Sequence, residues 1–236
     1  MNKTAEGLVK WAEKYVGHPY WYGTFGQKPT EALMLQKKAQ FDKQRLFSHY
    51  QASRLPIMRR HIAAGKEVFD CVGLIQGYMW HNGSRIVYNA ATDVNANGMH
   101  LKAKTKGPIA SMPDRPGLLV WFNNHIGIYV GNGNVIEARG FNHGVQLTRL
   151  SQRPWREWSE CPFIAYKPAG PELTFELNGR NILVDMEIWP NDNRSYFLLE
   201  GRNGQKHPIH VSKLAEVLGT KAVWDAATKT VKMEVR

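Results

Sequence analysis

One cysteine and one histidine stand in surroundings that suit nucleophilic catalysis. Cys71 follows the acidic Asp70 and precedes an apolar stretch, residues 72–80, whose composition predicts a helix. Further along the chain, His125 begins a short β-rich run, residues 125–131. The N-terminus of a helix favours a thiolate, and an imidazole can accept the proton that the thiol gives up. The pair predicts a cysteine nucleophile with a histidine base, and a cysteine peptidase is the leading hypothesis.

Each of these residues also has a purely structural interpretation. A free cysteine is among the most buried residue types, so Cys71 on its own could belong to the core. His125 on its own could be a core histidine bonded to a backbone carbonyl. The other cysteine, Cys161, precedes a proline and a strand-like run without a helix to depress its thiol pKa. We therefore expect Cys161 to be structural.

The composition limits the class of protein. A chain of 236 residues with 43% hydrophobic content can form one large domain or two modest ones. Two cysteines make neither a disulfide framework nor a zinc pattern, which predicts a free thiol made in a reducing compartment. His207 and His210 have a weak metal-ligand spacing without acidic or cysteine partners. No metal or other cofactor is expected.

The positive charge is concentrated in the first part of the chain. Residues 1–169 contain 22 of the 31 basic and 11 of the 20 acidic residues, and therefore the whole net charge of +11. Within them, residues 28–66 contain nine basic residues against two acidic ones. Such a surface favours polyanions, with a solvated helical face as the alternative. Nucleic acid is the least favoured partner, because the basic segment has few interleaved aromatic residues and no recognition motif.

Hydrophobic periodicity predicts helices first and a sheet afterwards. Helices are expected at residues 4–16, 31–51, 55–64 and 71–80, followed by an irregular segment at 81–116. Strands are expected at residues 118–122, 126–130, 135–138 and 144–147, with a closing strand at 163–166. This order predicts an α+β fold class.

A change of composition near residue 168 predicts a second domain. A linker is expected at residues 167–171, and residues 171–236 then form a small α+β domain after a domain at 1–168. In the second domain strands are predicted at 173–177, 182–186, 195–199, 222–225 and 230–235, with a helix at 211–218.

Three blocks of this sequence resemble the signature blocks of the NlpC-type papain-like cell-wall peptidases. They are residues 17–23, 70–74 and 125–133, in the family's order, and the likeness covers roughly residues 4–168. The resemblance implies a papain-like fold in which helices pack on a central antiparallel sheet. It implies Cys71 as nucleophile towards an amide of the peptidoglycan stem peptide and His125 as base. It implies that Tyr20 helps to form the oxyanion site.

The chain also departs from the family's pattern at several positions. The position that orients the histidine falls on Glu137, where His, Asn or Gln is more usual, although a carboxylate can also orient an imidazole. Its alternatives are an exposed strand residue or a salt-bridge partner of Arg139. Val72 replaces a frequent serine, and a basic helical insertion occupies about residues 25–69. The insertion could wall the groove or bind wall polymer.

The motif blocks also supply the expected substrate contacts. These contacts are Asp70, Trp21, Tyr22 and Val72.

The tail resembles the small stalk-like N-terminal domain of copper amine oxidases, an accessory module of many Gram-positive extracellular proteins. The likeness lies at residues 177–180, 214–219 and 223–231. It implies no copper site. Wall attachment and self-association into a homo-oligomer are both left open for this domain.

The resulting hypothesis is a two-domain peptidoglycan hydrolase. The expected bond joins γ-D-Glu to the diamino acid, and the expected partners are peptidoglycan and anionic wall polymers. The sequence predicts no Sec-type signal peptide and no membrane-spanning stretch. We therefore expect cytoplasmic synthesis and action on the wall after holin-type release or lysis, as for a phage endolysin. The alternatives are a non-catalytic wall-binding module, expected if Glu137 is far from His125, and a thiol amidohydrolase or acyltransferase acting on another amide or lipid.

Overall fold

Five helices and eight strands make up the first of two units in the computed structural model. The structure describes residues 3–46 and 48–166, and beyond them seven strands in the second unit. The units are Met1–Tyr166 and Lys167–Arg236. In the first unit the helices are α1 (Ala5–Lys14), α2 (Glu31–Lys43), α3 (Leu55–Ala64), α4 (Gly73–Trp80) and α5 (Ala96–Lys102). Its strands are β1 (Phe25–Gln27), β2 (Val68–Phe69), β3 (Lys106–Pro108), β4 (Leu119–Phe122), β5 (His125–Gly131), β6 (Asn134–Ala138), β7 (Val145–Arg149) and β8 (Glu157–Ser159).

Six of these strands form one antiparallel sheet in the order β3-β8-β4-β5-β6-β7. Helix α1 packs against strand β5 and helix α4, and α5 packs against β4 and β5. The predicted α+β fold, with helices packed on a central antiparallel sheet, is confirmed. Helix α4, which follows Cys71, and strand β5, which begins at His125, share one core cluster. The cluster includes Leu8, Leu74, Ile126 and Ile128.

The basic insertion has a hydrophobic core of its own. Helices α2 and α3 cover a second cluster of buried side chains. The cluster consists of Trp21, Met34, Phe41, Tyr50, Met58 and Val68. Its position beside strand β2, directly before Cys71, places the insertion next to the predicted site.

Three expectations about the elements are wrong. The helix predicted at residues 31–51 ends at Lys43. Residues 163–166 form no strand, and Ala165 makes only an isolated bridge with Thr4. The sheet instead contains β8, whose three residues are too few to show an alternation of apolar and polar side chains. The segment at 81–116 is not wholly irregular, since it contains β3 and also helix α5, where the Asn95 side chain accepts the Gly98 N–H.

The second unit is described through its strands alone. One sheet has the order β10-β9-β15-β14 and another the order β11-β12-β13. The strands are β9 (Thr174–Leu177), β10 (Arg180–Leu183), β11 (Met186–Ile188), β12 (Ser195–Glu200), β13 (Lys206–His210), β14 (Val223–Asp225) and β15 (Thr230–Met233). The predicted helix at 211–218 and the linker at 167–171 lie outside the described residues. The accessory-domain assignment stays a prediction.

Candidate active site

A buried carboxylate holds the segment that contains Cys71. The Asp70 carboxylate accepts the backbone N–H of Gly73 at 2.6 Å and that of Gly23 at 2.7 Å. These bonds join the start of α4 to the chain at residues 20–24. A side chain at Gly73 would place Cβ 1.9 Å from the Thr24 carbonyl oxygen, so this close approach requires glycine. These contacts fix Cys71 at the N-terminal end of α4.

The surroundings of the thiol oppose its ionisation. Burial raises the pKa of Cys71 to about 12, and the negative charge of Asp70 adds to the effect. Backbone N–H groups of Val72 and Ile126 reach the sulfur and act in the opposite direction, with a smaller effect. The expectation that the helix start lowers this pKa is wrong, because desolvation exceeds the helix contribution. At neutral pH the free protein therefore holds Cys71 as a thiol.

A carboxylate from the neighbouring strand orients the His125 ring. His125 Nε2 lies 2.6 Å from Glu137 Oε2. A carboxylate only accepts, so this hydrogen bond places the ring proton on Nε2 and leaves Nδ1 as the proton acceptor. Extending the β5–β6 register from Ile128 opposite Ile136 puts Gly127 opposite Glu137, on the face that also carries His125.

Glu137 is a fully buried and fully bonded carboxylate. Besides His125, it accepts from Thr148 Oγ1 at 2.8 Å and from Arg153, with Nε at 2.8 Å and Nη2 at 3.0 Å. Burial alone raises the pKa of Glu137, but the bonds from His125 and Arg153 outweigh it and hold the pKa below its usual value. Both alternatives for Glu137 are wrong: it is not exposed, and it pairs with Arg153 instead of Arg139.

Two residues of this network, Arg153 and Trp155, were not predicted from the sequence. The Arg153 guanidinium pairs with Glu137 and lies 5.8 Å from the Trp155 ring. The His125 ring stacks on Trp155 with centroids 5.6 Å apart and planes at 15°. No local pattern marks Arg153 or Trp155, because their contacts depend on how the segment after β7 folds back over the hairpin.

The predicted tyrosines line the same cleft as Cys71 and His125. Burial, with smaller effects of Asp70 and Cys71, raises the pKa of Tyr20, so its phenol remains a hydrogen-bond donor. Tyr22 stacks on His49 with ring centroids 3.7 Å apart.

The other predicted substrate contacts have different positions. Val72 and Asp70 line the cleft, but the oxygens of Asp70 are occupied by backbone N–H groups. Trp21 lies in the core of the insertion, where its Nε1 donates to His61 Nδ1 at 3.1 Å. Its buried side chain does not line the cleft, so the substrate contact predicted for Trp21 does not fit this position.

The cleft measures about 810 Å³, which is within the usual range of small-ligand sites. One part of its wall comes from the basic insertion, including Lys37, Gln40, Phe41 and His49. The insertion therefore forms part of the wall of the groove, which is one of the two roles considered for it.

Three further observations concern Cys161, metal binding and the membrane. Cys161 is buried away from the cleft, with Sγ 3.9 Å from Met99 Sδ, and burial raises its pKa to about 12. Within the described residues, no group of three or more His, Cys, Asp and Glu side chains is placed to hold a metal ion. In that same part of the chain, none of the helices has the length and apolar character needed to cross a membrane.

Comparison with protein families gives one match. Residues 60–162 match the model of the NlpC/P60 family. This range contains Cys71, His125 and Glu137, whereas Tyr20 and Tyr22 precede it. The resemblance to NlpC-type peptidases thus agrees with a family match over residues 60–162. The individual catalytic roles stay predictions.

Several solved structures are similar to this chain at low identity. The NlpC/P60 domain of the peptidoglycan hydrolase SagA is 17% identical with a TM-score of 0.37, covering 66% of this chain and 97% of that one. The peptidoglycan hydrolase RipB of Mycobacterium tuberculosis is 16% identical with a TM-score of 0.40, covering 69% and 65%. The P60 domain of an antigen from M. avium subspecies paratuberculosis is 15% identical with a TM-score of 0.41, covering 68% and 96%. No curated protein matches the sequence.

Proposed function

We propose that this protein hydrolyses an amide bond of bacterial peptidoglycan through a thioester on Cys71. The observation that carries the proposal is the 2.6 Å bond between His125 and the ionised Glu137, in a cleft that also contains Cys71. The NlpC/P60 match, and relatives whose names describe peptidoglycan hydrolases, support this substrate class.

The first half of the reaction forms the thioester. Nδ1 of His125 takes the Cys71 proton while the sulfur attacks the amide carbon. Glu137 stabilises the imidazolium, as a carboxylate does in a catalytic triad. The phenol of Tyr20 donates to the oxyanion. Collapse of the tetrahedral intermediate breaks the C–N bond, and the imidazolium gives its proton to the leaving amine.

The second half of the reaction releases the acyl group. His125 deprotonates a water molecule that attacks the thioester carbon, and the departing sulfur regains a proton from the imidazolium. Because the resting thiol is protonated, proton transfer to His125 accompanies the attack in the first half.

Within this function, the finer assignment is the bond between γ-D-Glu and the diamino acid. An endolysin role, with cytoplasmic synthesis and release at lysis, stays a prediction. So do binding of anionic wall polymers by the basic surface and wall attachment or self-association by the second unit.

Purified Gram-positive peptidoglycan tests the proposal. Wild type and Cys71→Ala are incubated with it, and soluble fragments are identified by mass spectrometry. We expect stem-peptide cleavage by the wild type alone. Absence of cleavage by both proteins, with both sedimenting with the wall, would favour a non-catalytic binding module. Absence of both effects would favour a thiol amidohydrolase or acyltransferase with another substrate.

A further inference from the structure

The acidic side chains that line the cleft already have partners within the protein. Asp70 accepts two backbone N–H groups at 2.6 and 2.7 Å. Asp93 accepts from the Tyr88 hydroxyl at 2.7 Å and from Gln76 Nε2 at 3.2 Å. Neither carboxylate therefore offers its full hydrogen-bonding capacity to a ligand.

Arg139, unlike these carboxylates, has a donor atom without a hydrogen-bond partner among the described residues. It follows strand β6 directly and lines the cleft that holds Cys71 and His125. Its Nε is buried and has no hydrogen-bond partner within the described residues. Glu137, its nearest acidic neighbour in sequence, is bonded to His125 and Arg153 instead. A buried N–H without a partner is costly, so this guanidinium is suited to an acceptor that arrives with a ligand.

Lys37 supplies a second cation from the insertion. Its ammonium lies 5.9 Å from the Phe41 ring centroid, and its hydrogen-bond partner is Gln40 Oε1 at 3.5 Å. Among the described residues no carboxylate lies within ion-pair distance of it, whereas its neighbour Lys38 is paired with Asp42. Burial lowers the pKa of Lys37, and the charges of Asp70 and Asp93 offset part of this effect. An anion bound in the cleft would stabilise the ammonium further.

We infer that Arg139 and Lys37 form a carboxylate-binding subsite that selects substrates with a free carboxylate beside the scissile amide. A guanidinium offers paired N–H donors that fit a carboxylate, and a partly dehydrated ammonium adds charge. The substrate side of this inference rests on the proposed function, because a γ-linked D-Glu residue keeps its α-carboxylate free. The subsite binds that carboxylate and rejects its carboxamide.

The test uses two peptides, L-Ala-γ-D-Glu-diaminopimelate with the Glu α-carboxylate either free or amidated. Binding to full-length Cys71→Ala is measured by calorimetry, and cleavage of each peptide is measured with the wild type. We expect the acid to bind and react at least about tenfold better, which corresponds to a difference of about 1.4 kcal/mol. Arg139→Gln and Lys37→Met, each placed in both backgrounds, should reduce that ratio, and the double variant should bring it close to one.

The controls separate recognition from folding and from catalysis. Lys38→Met, which removes a charge on the same helix without touching the cleft, should keep the wild-type ratio. Arg139→Lys should keep part of it, because the charge remains and the paired donors are lost. Equal binding of the two peptides, no binding of either, or a ratio unchanged in the double variant would overturn the subsite.

Failure of the two proposals would give different results. Equal cleavage of both peptides by the wild type would keep the hydrolase and overturn the subsite. A binding preference in the Cys71→Ala background without cleavage by the wild type would keep the subsite and overturn the hydrolase.

Discussion

The two segments that line the cleft, the start of α4 and the β5–β6 hairpin, differ in their electrostatic effect. At the start of α4, burial and Asp70 hold Cys71 in its neutral form. On the β5–β6 hairpin, Glu137 is kept ionised by Arg153 and Thr148 and lies against the His125 ring. The hairpin therefore presents a buried negative charge to the His125 ring, whereas burial at the start of α4 opposes a charge on Cys71. In the proposed mechanism, the hairpin accordingly controls when the thiol loses its proton.

Removal of the base should have the largest effect. In His125→Ala the proposed acceptor of the Cys71 proton is lost, and a thiol with a raised pKa provides almost no thiolate at neutral pH. We expect turnover of the acid peptide to fall by about 10⁴-fold or more. Folding is checked by circular dichroism. A fall of less than tenfold would show that Cys71 does not depend on the hairpin.

Neutralising the orienting carboxylate should have the next largest effect. Glu137→Gln keeps the size of the side chain but removes the charge that stabilises the imidazolium, and we expect kcat to fall by about 10²–10⁴-fold. Glu31→Gln is the matched control, since Glu31 forms an exposed ion pair with Arg59. Wild-type kcat in Glu137→Gln would limit Glu137 to a structural role.

Removal of the Arg153 guanidinium, the charge partner of Glu137, should reduce stability as well as activity. Arg153→Met leaves Glu137 buried without its cation, and the free energy of unfolding should fall by about 3–5 kcal/mol. Denaturant titration measures this change. Arg59→Met, at the exposed pair with Glu31, should leave the unfolding midpoint almost unchanged. Equal shifts in the two variants would contradict a buried network.

The pH dependence of alkylation involves no substitution in the site and tests the cysteine side alone. Because burial raises the pKa of Cys71 to about 12, its thiolate fraction rises about tenfold per pH unit throughout the neutral and mildly alkaline range. Iodoacetamide labelling should follow this rise without a plateau. Cys71→Ala corrects for labelling of the buried Cys161. A plateau below pH 8 would mean that the free protein already holds a thiolate.

The sequence was informative where the structure depends on local pattern. Helix α3 has the predicted bounds, since Gly65 ends it in a left-handed conformation. The hairpin strands follow the predicted apolar runs to within a few residues. The α+β order and the approach of Glu137 to His125 follow from these elements.

Features that depend on tertiary contacts could not be read from the sequence. Arg153 joins Glu137 across the sheet, and Trp21 enters the core of the insertion only because α2 and α3 cover it. The high pKa of Cys71 reflects burial, which outweighs the helix start that the motif suggested. Orphaned donors such as Arg139 Nε become visible only when the whole cleft is assembled.

Cleavage of the defined acid peptide is the most direct test of the central claim. Wild type, Cys71→Ala and Cys161→Ala are compared, and the products are identified by mass spectrometry. The account predicts that wild type and Cys161→Ala release the diamino acid from γ-D-Glu, while Cys71→Ala leaves the peptide intact. Release of the same product by Cys71→Ala at the wild-type rate would contradict it.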